Sequence, residues 1–287
     1  MTASGGGGGG GGGSGAGTTW TQRASGTSDW LHSVAYGNGL FVAVGDRGTI
    51  LTSPDGVTWT QRTSGTPYTL FGVTYGNGLF VAVGAQHTIL TSPDGVTWTQ
   101  RTSGTPLQLN GVTYGNGLFV AVAWNGDILT SPDGVTWTQR TSGTYNYLSG
   151  VAYGNGLFVA VGDRGTILTS PDGVTWTQRT SGNNPLLGVA YGNGLFVAVG
   201  WLGTILTSPD GVTWTARTLR MGNFLRGVIY GNGLFVVVGE WGIILTSPDG
   251  VTWTRRTSGT GNDLRGVAHG NGTFVAVGQS GAILTSP

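Results

Sequence analysis

Apolar and polar residues follow one another along this chain in short blocks, and the blocks return in the same order many times. One copy starts with "LFGVTYG" (Leu70–Gly76), which predicts a first strand, A, closed by a "GNG" turn. "LFVAVG" (Leu79–Gly84) is apolar throughout, as expected of a strand B buried on both faces. "TILTS" (Thr88–Ser92) predicts strand C. "VTWTQR" (Val96–Arg101) predicts strand D, with Val, Trp and Gln alternating against Thr, Thr and Arg. Glycine-rich turns separate these strands and no stretch has helical period, so helix content is expected to be close to nil.

The repeat decides the architecture. Trp20, Trp59, Trp98, Trp137, Trp176, Trp214 and Trp253 are spaced by 39 residues, with one step of 38. "YGNG" starts at Tyr36, Tyr75, Tyr114, Tyr153, Tyr191 and Tyr230 and returns as "HGNG" at His269, which makes seven copies. A period near 40 with four short strands per copy predicts an all-β chain, a seven-bladed β-propeller of four-stranded antiparallel blades. The last copy stops at "AILTSP" (Ala282–Pro287) without a strand D, and "TTWTQRAS" (Thr18–Ser25) is a strand D without a blade. Pairing the two closes the ring and removes an exposed sheet edge. The chain therefore divides into a glycine-rich segment, 1–17, and a propeller, 18–287.

The most constant element is "SPDGVTW", Ser53 to Trp59, repeated from Ser92, Ser131, Ser170, Ser208 and Ser247. Its chemistry is that of a turn: Pro54 presets φ, Asp55 bonds the backbone ahead of it, and Gly56 accepts a positive φ. Six of the twelve acidic residues are these aspartates, so the obvious paired carboxylates are structural. Ser53, Asp55, Gly56, Thr58 and Trp59 resemble the Asp-box of BNR-type, sialidase-like propellers, with one residue fewer between Asp and Gly. The resemblance extends over residues 18–287. It implies the propeller fold, with the box at the C-to-D turn and away from any active site. It does not imply one activity, because that fold hosts hydrolases, lectins and assembly factors.

Composition removes several function classes. Charged residues are 9% of the chain, the formal net charge is +1, and all 13 basic residues are Arg. Seven of them (from Arg23 to Arg256) share one repeat position, so nothing argues for nucleic acid or membrane insertion as a partner. Cysteine is absent, and no cofactor is expected. "MTASGGGG" does not read as a secretory signal, and localisation stays open between virion and extracellular settings. Ser4–Gly17 is expected to act as a flexible lead-in reaching ~15–20 Å, and attachment or oligomerisation through it stays open.

Variation between copies gathers on one side. A–B and C–D turns fall on one face of the disc and hardly vary, whereas B–C turns and D–A connections fall on the other and differ in almost every copy. The B–C turns supply Asp46, Arg47, Gln86, His87, Trp124, Asn125, Asp163, Arg164, Trp201, Glu240 and Trp241 as candidate ligand-binding residues. The D–A connections supply Trp30, His32, Tyr68, Phe71, Tyr145, Tyr147, Phe224, Arg226, Asp263 and Arg265. Trp, Tyr and Arg dominate binding hot spots, and Tyr with Ser, Gly and Asn is the mixture used by antibody paratopes. The expectation is a non-catalytic recognition propeller whose variable face holds a glycan or a protein receptor, in the manner of a phage tail adhesin.

Two other classes stay open. The sialidase resemblance implies an arginine cluster, a Tyr–Glu pair and an acid/base Asp. Asp29, Asp46, Asp127, Asp163, Asp263 and Glu240 leave room for a carboxylate pair, and Arg226 and Arg265 take equivalent places in adjacent blades. No Tyr–Glu pair stands at matching blade positions. The other class is a designed or structural repeat scaffold with no ligand, which near-identical blades fit equally well. His32, His87 and His269 lie on blades one, two and seven, and no metal site is expected, since His269 takes the Tyr position of the repeat.

Overall fold

The computed structural model describes residues 15–287. Each "LFVAVG" block forms the second strand of a four-stranded antiparallel sheet, and seven such sheets make the ring. In blade one, strand A is Leu31–Gly37, B is Leu40–Gly45, C is Ile50–Ser53 and D is Thr60–Arg62. Phe41 stands opposite Ser53 and Val44 opposite Ile50, so side chains alternate between the two faces of the blade. Both faces meet a neighbouring blade, which is why strand B is apolar without interruption. Val42, Val44 and Ile50 of blade one, for example, pack on Leu70, Val73, Phe80, Ala82 and Leu90 of blade two. The core is thus a set of inter-blade seams rather than one central cluster, and the Phe of strand B is fully buried in every blade.

The constant turn is held by its own side chains. Asp55 Oδ1 accepts the backbone N–H groups of Val57 (2.8 Å) and Thr58 (3.0 Å), and Ser53 Oγ accepts that of Gly56 (2.8 Å). Those two N–H groups hold the Asp55 carboxyl below the usual carboxylate range. Gly56 has φ of +79°, and Trp59 Nε1 donates to its carbonyl at 2.8 Å. This turn takes up Val, Thr and Trp, so strand D starts later than its alternation predicts. In blade two it is Thr99–Thr102, with Val96–Trp98 in the turn. Arg62 Nε then donates to Thr52 Oγ1 (3.0 Å), tying strand D to strand C.

Ring closure uses both chain ends. Thr21–Arg23 pairs antiparallel with Ile283–Ser286, completing blade seven. The constant turn is also rebuilt at this seam, from two pieces. Ser286 and Pro287 supply its start, and Gly17 to Trp20 its end, with Gly17 N–H on the Pro287 carbonyl (3.1 Å) and Trp20 Nε1 on the Gly17 carbonyl (2.9 Å). No aspartate is available there. The Gly15 carbonyl takes its place, accepting from Thr18 N–H (3.0 Å), Thr19 N–H (3.2 Å) and Ser286 Oγ (3.3 Å). Of the lead-in expected over Ser4–Gly17, residues 4–14 lie outside the described residues, whereas Gly15 and Gly17 belong to this seam turn.

Candidate functional site

Strand A of each blade lies innermost, against strand A of the next blade. Near its start every strand A carries the same irregularity: Leu31 pairs with Gly45 and Ser33 with Val44, so His32 has no partner of its own. The equivalent residues are Phe71, Asn110, Ser149, Leu187, Arg226 and Arg265. A β-bulge re-aims the side chain it displaces. Here it brings all seven, together with Tyr147, around one cavity of about 150 Å³ at the mouth of the central channel. Beneath them lie a tier of Gly, with Ser33 in blade one, and a tier of Val. The Gly tier allows adjacent strands to approach: a Cβ on Gly188 would stand 2.7 Å from the Arg226 carbonyl oxygen.

Charge at this mouth is confined to blades six, seven and one. Arg226 pairs with Glu240 Oε1 at 3.1 Å, and Glu240 Oε2 accepts the Phe224 N–H at 3.2 Å. The Arg265 guanidinium lies 4.4 Å from the Trp30 ring centre and forms no ion pair with any described residue. Nε of both arginines is buried without a hydrogen-bond partner among the described residues. Burial, and then the Arg226 charge, lower the Arg265 pKa, although a guanidinium remains charged. His32 Nε2 lies 2.7 Å from Asp46 Oδ1, and its ring is 5.3 Å from that of Phe71. Burial pushes the His32 pKa down, against the opposing hydrogen bond to Asp46, so the ring is neutral at pH 7 and donates Nε2–H to the carboxylate.

The remaining candidates form an outer zone on the same face. Residues in the B–C turns adopt positive φ without being glycine, among them Arg47, Gln86, His87, Arg164, Leu202 and Trp241. Trp241 is 70% exposed, with its N–H on Asp263 Oδ1 at 3.0 Å. Trp201 stacks on Phe224 with ring centres 4.5 Å apart and planes 5° from parallel. Trp124, Tyr68 and Tyr145 are exposed, the last at 95%. Gln86, His87, Arg47 and Arg164 are also exposed. Arg47 pairs with Asp29, Asn125 accepts the Asp127 N–H (3.4 Å), and Asp163 is partly buried beside Tyr147, whose pKa is raised by burial and then by that carboxylate.

Two placements differ from the sequence reading. His32, Arg226 and Arg265 belong to strand A and not to the connection before it, as the strand predicted at Leu70–Gly76 already has it for Phe71, because the bulge keeps them within the ladder. Asn110, Ser149 and Leu187 were not singled out, yet they complete the inner ring. Their signal was present in the repeat as one position reading His, Phe, Asn, Ser, Leu, Arg and Arg just before a near-constant Gly-Val pair. His269 packs its ring 4.5 Å from Phe274 in the Tyr position. Among the described residues no group of three or more His, Cys, Asp or Glu is placed to hold a metal ion, and no helix is long and apolar enough to cross a membrane.

No known family profile matches the sequence, and no curated protein does. Solved structures do match in three dimensions. YCF48 bound to a D1 peptide superposes with a TM-score of 0.76 at 19% identity, covering 93% of this chain and 94% of that one. Virginiamycin B lyase from Staphylococcus aureus, in a catalytically inactive form with quinupristin, gives 0.83 at 12%, covering 93% and 98%. The WD40 propeller domain of Doa1 gives 0.77 at 12%, covering 94% and 97%. The likeness is one of fold. These three propellers differ in what they do, so the residues of the variable face must carry any functional conclusion.

Proposed function

We propose that this propeller is a non-catalytic recognition module whose variable face binds a surface molecule, with a glycan as the favoured ligand. The observation that carries this reading is the distribution of aromatic side chains. Trp124, Trp201 and Trp241 stand exposed in the B–C turns of three blades, with Tyr68 and Tyr145 exposed in the connections between blades. Exposed aromatics at such density are a solubility liability unless they meet a partner. Flat rings flanked by Asn, Asp and Arg suit stacking on sugar rings with hydrogen bonds at the edges. A glycan array run beside a Trp124→Ala/Trp201→Ala/Trp241→Ala variant tests it. Loss of the bound signals in the variant is expected, and unchanged signals would refute the assignment of the face.

Binding without turnover belongs to the same proposal. Glu240 is engaged by Arg226 and the Phe224 amide, and Asp263 by the Trp241 amide, so these acids serve as positioning groups. Hydrolysis of fluorogenic sialosides, abolished by Glu240→Gln, would overturn that part. A peptide ligand is the second reading, favoured by the match in fold to a propeller solved with a peptide. The same aromatic variant distinguishes the two readings when peptide and glycan libraries are probed side by side.

A further inference from the structure

The inner ring has a polarity that the outer aromatic zone lacks. Its charged members, Arg226 and Arg265, occupy adjacent blades, with the neutral His32 next to them in blade one. The other four positions are Phe71, Asn110, Ser149 and Leu187. Within the charged arc the two guanidiniums differ. Arg226 is neutralised by Glu240 at 3.1 Å, whereas Arg265 has no carboxylate at ion-pair distance among the described residues. Asp46, Asp263 and Glu240 lie close enough to act on Arg265 electrostatically, but each accepts from another donor: His32, the Trp241 amide and Arg226 respectively. Arg265 is partly buried with its Nε enclosed, and a desolvated cation without a partner is costly unless something supplies the counter-charge. One ring face of Trp30 covers part of the guanidinium, and Arg265 Nε has no acceptor among the described residues.

Size restricts what can enter. A pocket of about 150 Å³ that is open to solvent takes a carboxylate with one short side chain against its lining and leaves the rest of a longer ligand outside. We propose that the channel mouth holds a small carboxylate bearing an apolar group, with the carboxylate on Arg265 and the apolar group against Phe71 and Leu187. A carboxylate matches the planar fork of a guanidinium, which favours it as the anion. The apolar flanks at Phe71 and Leu187 favour an acylated amino-acid-like chain end over a fully hydroxylated sugar acid. This inference rests on the variable face being the binding face, and it adds the class of group read at its centre.

The probes are N-acetyl-leucine, its uncharged amide N-acetyl-leucinamide, and glucuronate, each titrated calorimetrically into the full chain. N-acetyl-leucine is expected to bind at least tenfold more tightly than the amide and more tightly than glucuronate. In Arg265→Asn, which installs the residue that blade three carries at this position, the preference for acid over amide disappears while the melting temperature is unchanged. Arg265→Lys retains part of it. Equal binding of acid and amide, no binding of either, or a preference that survives Arg265→Asn overturns the proposal. Tighter binding of glucuronate than of N-acetyl-leucine overturns the apolar half. The Trp124→Ala/Trp201→Ala/Trp241→Ala variant leaves these titrations unchanged, so failure of the outer glycan surface and failure of the inner carboxylate site are read separately.

Discussion

The turn at Ser53–Trp59 and the turn at Glu240–Gly242 lie on opposite faces of the same disc, and they are constrained in different ways. In the first, side chains of the turn fasten its own backbone: Asp55 caps two backbone amides, Ser53 caps a third, and Trp59 bonds the Gly56 carbonyl. In the second, a tryptophan adopts φ of 57° and leaves 70% of its surface in solvent. A left-handed conformation in a bulky residue is uncommon and costs free energy. The constant turn therefore has its residues dictated by the backbone, whereas the variable turn holds a residue that its backbone disfavours. Sequence freedom on that face is accordingly available for recognition, and the contrast can be attacked from either side.

The largest effect is expected at the seam. Removing residues 18–25 strips strand D from blade seven and exposes the edge at Ile283–Ser286, so the protein should aggregate or lose its cooperative melt. A variant that stays monomeric with its melting temperature intact would break the closure account. Next in size is the inter-blade core. Phe119→Ala empties a fully buried site and should cost about 3–5 kcal/mol in denaturant unfolding, whereas Trp241→Ala should stay within about 0.5 kcal/mol of the parent.

Acid sensitivity separates the faces further. The turn aspartates have pKa values below the ordinary carboxylate range because backbone amides bond the charged form. A depressed folded value stabilises the native state above the unfolded pKa, and that contribution is lost as pH falls through the folded value, a window that begins near pH ~4. Asp94→Ala should therefore lower the melting temperature at pH 7 and shrink the drop seen on acidification below that window. The smallest effect is expected at the bulge. Leu187→Asn and Ser149→Leu exchange residues that other positions of the ring resemble, and unfolding free energy should change by less than about 0.5 kcal/mol. A larger loss at either site would mean that the inner ring is part of the scaffold.

Much of this was legible in the repeat. The blade count, the strand order, the shared blade and the constant turn follow from spacing and turn chemistry, since each is enforced by local backbone geometry. The onset of strand D was placed three residues early in blade two, because Val96 and Trp98 alternate as a strand would, while Asp94 accepts the Val96 N–H and the Gly95 carbonyl accepts the Trp98 indole N–H. The inner ring was only half visible. His32, Phe71, Arg226 and Arg265 attract notice by their chemistry, but Asn110, Ser149 and Leu187 are ordinary residues. Only the bulge, a feature of strand pairing across the blade, puts all seven around one opening. Likewise, no composition argument distinguishes Arg226 from Arg265; that difference depends on where Glu240 and Trp30 lie in space.

The most direct test of a recognition face opposed to a scaffold face is a matched pair of triple variants on one glycan array, each with its melting curve. Trp124→Ala/Trp201→Ala/Trp241→Ala strips exposed aromatics from the variable face, and Val57→Ala/Val135→Ala/Val212→Ala strips exposed valines from the constant one. The first is predicted to lose the bound signals and keep its melting temperature, and the second to keep the signals. Signals retained by the first variant, or lost from a folded second variant, would contradict the account.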